Sequence, residues 1–211
     1  MMMFPGSFTG WNALARLTEG GDQWVLWRYE EKEDGGKPDK LPYTRYNRLA
    51  KSNDSATWLS YDEVNSALSE SDGAYDGIGL MFDGSFLGVD LDNCVEDGVI
   101  TDSHVEAFVA IANTYTEISP SGTGLHLYFK LTGPYEAKKN RHGNFEVYTH
   151  NRYFTFTSKL FNQNLVRTVT PEEAEHVLKA IGYPWNPIKS AVDNVVFGGA
   201  TNLSQEIAKE K

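Results

Sequence analysis

A single cysteine, Cys94, stands among 211 residues, which excludes an internal disulfide and any cysteine-built zinc site and suits a reducing compartment. Long apolar runs are missing as well: no stretch approaches the roughly 20 residues that a helix needs to cross a bilayer. The opening Met1-Met2-Met3-Phe4-Pro5-Gly6 has neither a basic n-region nor a long apolar h-region, so no signal peptide and no membrane partner are expected, and the expected location is the cytoplasm. Positive charge is scarce, with 19 Lys and Arg against 29 Asp and Glu and a formal net charge of −10. That balance argues against the broad basic face with which many proteins hold phosphate backbones non-specifically. Internal repeats and low-complexity tracts are absent.

What is present is a legible alternation of strands and helices, with 40% hydrophobic residues, enough for one large domain or two small lobes. Ser60-Tyr61-Asp62-Glu63, Ser103-His104-Val105-Glu106 and Thr170-Pro171-Glu172-Glu173 have capping-box spacing, which predicts helices over 60–70, 103–114 and 171–181, the last stopping at Gly182. Aromatic and β-branched runs predict strands at 23–30, 77–82, 86–92, 115–119, 125–131, 144–149 and 153–158. Asp83-Gly84-Ser85 reads as a hairpin turn between the second and third of these. Strands in succession after a β–α–β passage suggest an α+β fold, a sheet with helices on one side. Beyond Tyr183-Pro184-Trp185-Asn186-Pro187 the pattern fades. An ordered unit is therefore expected over 1–185 and a linker or tail over 186–211, with a further helix starting near Leu203 that leads into a longer protein; a plain mobile C-terminus would have the same sequence pattern.

Three constellations carry chemistry. Asp90 and Asp92 close the apolar run Phe86-Leu87-Gly88-Val89; strand alternation puts both carboxylates on one face while Val89 and Leu91 enter the core. Two like charges so close suit a divalent cation, although a solvated strand end running into Asn93 would use the same residues. Downstream, Ser119-Pro120-Ser121-Gly122-Thr123-Gly124 offers hydroxyl donors and glycines that let backbone approach phosphate oxygens, a composition also found in plain hairpin connections. In Leu125-His126-Leu127-Tyr128-Phe129 the apolar residues alternate, so His126 and Tyr128 are expected on the polar side, where His126 can meet a phosphate or a metal; a surface or satisfied core histidine is the plainer alternative. Glu146, between Phe145 and Val147, supplies a third carboxylate, and Arg152 a guanidinium that can grip phosphate; an ordinary cross-strand pair is the plainer alternative. Against the acidic background, Lys37, Lys40, Arg45, Arg48 and Lys51 form one basic cluster, and Lys138, Lys139, Arg141 and Arg152 surround Glu146.

The order Val89-Asp90-Leu91-Asp92, then Ser121-Gly122-Thr123-Gly124-Leu125-His126, then Phe145-Glu146-Val147 resembles the three motifs of the archaeo-eukaryotic primase superfamily. The longer strings Tyr115-Thr116-Glu117-Ile118-Ser119-Pro120-Ser121-Gly122 and Glu146-Val147-Tyr148, with Arg152-Tyr153, resemble its phage- and plasmid-type primase-polymerases, over roughly residues 22–160. The resemblance implies an RNA-recognition-like antiparallel sheet joined to an N-terminal α/β unit, with the active site in the cleft between them. It implies catalytic metals, Mg2+ or Mn2+ and two in number, on Asp90, Asp92 and Glu146. It also implies an incoming nucleotide at His126, with Ser119, Ser121, Gly122 and Arg152 beside its phosphates.

Many members carry aspartate where this chain has Glu146. The implied activity is template-directed transfer from dNTPs or NTPs to a 3′-hydroxyl in phage or plasmid replication, with DNA synthesis expected first. Tyr148 or Tyr153 beside the ribose would disfavour NTPs, but filling the sheet is the expected role of both. The implied template is single-stranded DNA; Lys37, Lys40, Lys138 and Lys139 of the basic clusters are the candidates to meet it, with solvated loop charges as the alternative, and the chain's acidity suggests that a helicase or helical primer-binding domain further along a longer protein adds grip. A metal-dependent nuclease and a noncatalytic nucleic-acid-binding replication module are the alternatives from other classes.

Overall fold

The computed structural model describes residue 18 and residues 21–162 and 165–184. The linker and helix expected beyond residue 186 lie outside the described residues. In chain order the elements are β1 (Trp24–Glu30), β2 (Asp39–Thr44), β3 (Arg48–Leu49), α1 (Tyr61–Ser69), β4 (Gly77–Leu91), β5 (Val95–Glu96), β6 (Val99–Ile100), α2 (Ser103–Ala112), β7 (Thr116–Ile118), β8 (Leu125–Leu131), β9 (Arg141–His142), β10 (Phe145–Phe156), β11 (Arg167–Val169) and α3 (Pro171–Lys179). Among the described residues nine strands form one sheet, ordered β11-β8-β4-β1-β2-β3, with β10 on β4, β7 on β8 and β9 on β10. All of these pairs are antiparallel except β11 with β8. The fold is α+β.

The capping chemistry behaves largely as its spacing suggests. Ser60 accepts from Glu63 N while Glu63 accepts from Ser60 N at the head of α1, and Thr170 with Glu173 does the same for α3, which has Pro171 in its first turn. The start of α2 differs from expectation: Asp102 is the N-cap, accepting from His104 N at 2.8 Å, and Ser103 is already helical. Aspartate one residue earlier offers the stronger, charged acceptor for the same exposed donors. Helix α3 ends at Lys179, and a turn carries the chain through Gly182, whose φ is +80°.

The expected hairpin at Asp83-Gly84-Ser85 is not formed. Residues 77–91 are one strand, and the two runs expected at 144–149 and 153–158 are likewise the single strand β10. Gly84 has φ +97°, and a Cβ there would lie 2.4 Å from His150 Nε2, so the glycine serves a bulge against β10. Ser85 N and Oγ both donate to Asp83 Oδ1 at the same point, and the β4–β10 register shifts on either side of His150. Positive φ is needed by bulges and hairpins alike, so the Asp-Gly signal marks both. The two halves of β4 have different neighbours: β1 lies along Gly77–Leu80 and β8 along Phe86–Leu91, while β10 runs beside both.

Two apolar clusters follow from this division. Leu87, Val89 and Leu91 of β4, with Leu125, Leu127 and Phe129 of β8, pack under α2 and α3 through Phe108, Val109, Val177 and Leu178. Trp24 and Leu26 of β1, with Leu80, Phe82, Tyr128, Phe154 and Phe156, form the second cluster beside Val64 of α1. Strand β8 is therefore covered on both faces. His126 and Tyr128, expected on a polar side, are 4% and 0% exposed because Phe154 and Phe156 of β10 close over them.

Candidate active site

Register places the candidate residues in one row across five strands. Glu117 of β7 pairs with His126 of β8, His126 with Asp90 of β4, Asp90 with Glu146 of β10, and Glu146 with Arg141 of β9. Directly opposed residues share a sheet face, so five ionisable side chains emerge side by side. Asp92 lies one residue past the end of β4, in the following turn and not on the strand as expected; its N–H donates to Asn144 O at 2.8 Å.

Asp90, Asp92, His126, Glu146 and Arg152 line a cavity of about 390 Å³ together with Lys37, Asp39, Lys40, Arg141, Tyr153 and Thr155. Burial pushes the Asp90 carboxyl above its ordinary range, the charges of Asp92 and Glu146 add to that, and His126 and Lys40 oppose it. Its Oδ1 is buried, 3.8 Å from His126 Nε2, with no hydrogen-bond partner among the described residues. Glu146, 5% exposed, is held on both sides: Arg141 Nε is 3.2 Å from Oε1 and Arg152 Nη2 is 3.3 Å from Oε2. Arg152 also lies over the Tyr148 ring. Burial draws the Lys40 ammonium below the usual lysine range, against the pull of Asp90 and Asp92. The Tyr153 hydroxyl donates to Lys40 O at 2.6 Å and so ties β10 to β2 across the cavity.

His126 has its orientation written into its partners. Nδ1 is 3.1 Å from Thr155 O, a group that only accepts, so Nδ1 carries hydrogen and Nε2 faces Asp90. Burial lowers the imidazole pKa, but the Glu117 hydrogen bond and the charges of Asp90 and Glu117 outweigh it, and the net direction is upward.

The Ser/Gly turn stands beside the site and does not line the cavity. Ser119 Oγ, Ser121 Oγ and Thr123 Oγ1 form a chain with 3.0 Å steps, Gly122 has φ +81°, and Thr123 O accepts from Cys94 N and Val95 N. Gly124 is where the turn meets the strand end: a Cβ there would lie 2.7 Å from Leu91 O and 3.4 Å from the Asp92 Cα. The two basic clusters divide. Lys37 and Lys40 line the cavity, whereas Lys138 and Lys139 sit outside it, their backbone N–H groups donating to the Tyr183 hydroxyl.

The donor set suits a hard divalent cation in part. Two acidic side chains, one with an unpartnered buried oxygen, are the ligands such ions prefer. Among the described residues no three His, Cys, Asp or Glu side chains converge closely enough to hold a metal as they stand, and Glu146 is turned to its arginines. Sequence reasoning passed over Glu117. Its signal was a carboxylate between Thr116 and Ile118 on a strand, the same alternation that singled out Glu146.

No protein-family model matches the chain. Among curated proteins it is similar to the DNA primase-polymerase of Nitratiruptor phage NrS-1, with 30% identity over 175 residues. The match takes in 77% of this chain and 23% of that protein. That protein's name is the name of the group whose motif order this chain resembles, and the chain spans about a quarter of its length.

Proposed function

We propose that the chain carries the catalytic site of a primase-polymerase, transferring a nucleotide from a dNTP or NTP to a 3′-hydroxyl under the direction of a DNA template. The observation that carries this reading is the register row His126–Asp90–Glu146 opening into a cavity that also holds Asp92, Lys37, Lys40, Arg141 and Arg152. Carboxylates beside cations in one cavity match a substrate that arrives as a triphosphate, passes its nucleotidyl group to the 3′-hydroxyl and releases pyrophosphate. The relationship to a DNA primase-polymerase supports the same reading.

In this proposal Asp90 and Asp92 would hold Mg2+ or Mn2+, with Glu146, opposite Asp90 in the register, as the third carboxylate of a two-ion site. Ions bound there would lower the pKa of the attacking hydroxyl and offset the charge of the triphosphate. The chain's own groups do the rest. His126 Nε2 and Arg152 meet the triphosphate and offset the charge that grows on it during transfer. The arginines hold Glu146 in reach of the cavity, and Ser119, Ser121 and Gly122 present hydroxyls and backbone to outer phosphate oxygens. Lys37 and Lys40 contact the template, and the packing of Tyr153 against the Gly79 backbone keeps it a sheet residue that frames the cavity.

Mn2+ binding followed by electron paramagnetic resonance, with and without dATP, tests the assignment. Asp90→Asn and Asp92→Asn are expected to abolish binding, and Glu146→Gln to weaken it. Unchanged binding in Asp92→Asn would remove the metal site from this place.

A further inference from the structure

Glu117 has no part in the chemistry set out above, yet it is 0% exposed and contacted by donors on every side. Oε1 accepts from the Tyr128 hydroxyl at 3.1 Å and lies 3.5 Å from His126 Nδ1. Oε2 accepts from the Tyr115 hydroxyl at 3.1 Å and from Ser158 N at 2.9 Å, and both oxygens are within reach of Thr157 N, at 3.1 and 3.2 Å. A carboxylate costs several kcal/mol to bury, on the order of what this full set of donors can offset, so the site is built around the charge. A plain core position at a strand pair is filled far more cheaply by an apolar side chain.

We propose that Glu117 is the positioning residue for His126. With Thr155 O it holds the Nδ1 edge of the ring inward, so that the Nε2 edge faces Asp90 and the cavity. Among the described residues the ring has no other polar tether on that edge. Phe154, whose ring centroid is 5.0 Å away, supports the flat face and leaves rotation about the ring axis unspecified. The carboxylate is anchored in turn by two tyrosines and by the backbone that follows β10, so β7, β8 and the end of β10 together set the direction of one imidazole. This arrangement parallels the way buried carboxylates orient histidines that must present their far nitrogen to a ligand. The inference rests on the proposed contact of His126 with the nucleotide triphosphate, and it adds that this contact is set from the opposite side of the ring.

The test is a double-mutant cycle on the full 211-residue chain, reading dATP affinity by titration in Mn2+ buffer, with the 15N-histidine spectrum as a second measurement. E117Q in the wild-type background is expected to weaken dATP binding about tenfold, the scale of one charge-assisted hydrogen bond. H126A is expected to weaken it at least as much, and E117Q added to H126A should cost nothing more.

Equal losses from E117Q in both backgrounds would make Glu117 a brace of the fold and overturn the proposal. If E117Q fails to fold, Tyr128→Phe carries the same cycle. It removes the hydroxyl that donates to Oε1 at 3.1 Å and lies 3.4 Å from Thr155 O, the two groups that hold the Nδ1 edge, with about a threefold loss expected in the wild type and none in H126A. A wild-type chain that binds no dATP would defeat the proposed function instead. The spectrum then still decides the geometry: a protected His126 Nδ1–H signal lost in the Glu117 or Tyr128 variant supports it, and one that persists unchanged overturns it.

Discussion

Asp90 Oδ1 is buried with no hydrogen-bond partner among the described residues, and the group sits between Glu146 and His126 in the row. Its carboxyl is pushed up first by burial and then by the neighbouring acids, so the folded state holds this proton more tightly than the unfolded chain does. The sign follows: at pH above the folded-state value the charged form costs stability, and removing the charge returns it. Asp90→Asn, measured without divalent metal at pH 7.5, is expected to raise the melting temperature, by about 2–4 °C for each 1 kcal/mol relieved. A lower melting temperature would contradict the view of Asp90 as a group kept for function at the expense of the fold.

Cys94 makes a second test at this scale. Burial, reinforced by Asp90 and Asp92, pushes its thiol up to about 11. The native protein should therefore resist a thiol reagent at pH 8 and react fully once unfolded in guanidinium; rapid native labelling would show that the strand end is open. Asp90 and Glu146 were legible because alternation reveals which residues share a face. The burial of His126 was not, because parity says nothing about what covers that face, here Phe154 and Phe156 from a strand some 30 residues later.

At the scale of elements, the site depends on where β4 ends and what meets it there. Leu91 closes the strand, Asp92 turns, and the Ser/Gly turn presses against both through Gly124, whose missing side chain leaves room for Leu91 O. Gly124→Ala would push the turn off the strand end and move Asp92. Primer extension should fall by about tenfold or more, consistent with the sensitivity of reacting groups to displacements near 1 Å. The thermal transition should stay cooperative. Full activity in this variant would uncouple the turn from the site.

Helix heads were readable to within a residue, since capping chemistry is local. The bend of β4 was not, because Asp83-Gly84-Ser85 supplies a positive-φ residue that a hairpin and a bulge use equally. Only pairing with β10 along both halves distinguishes them, and that pairing joins residues more than 50 positions apart. Short strands such as β3, β9 and β11 escaped notice for the related reason that two or three residues carry no period.

Over the whole molecule, a formal charge of −10 coexists with a cavity where Lys37, Lys40, Arg141 and Arg152 gather. Single-stranded DNA held there should be released readily by salt. Replacing Lys37 and Lys40 together by alanine should reduce the slope of log affinity against log salt by about 1.4, the value for two phosphate contacts on a single strand. An unchanged slope would place the template elsewhere.

Nucleotidyl transfer at Asp90 and Asp92 is tested by synthesis on a primed single-stranded DNA template with dNTPs and Mn2+. The wild-type chain is expected to lengthen the primer only when nucleotide is supplied, and Asp92→Ala, folded by circular dichroism, to leave it unextended. Extension that persists in Asp92→Ala would place the transfer away from this carboxylate pair, and DNA that shortens without added nucleotide would make the site a nuclease.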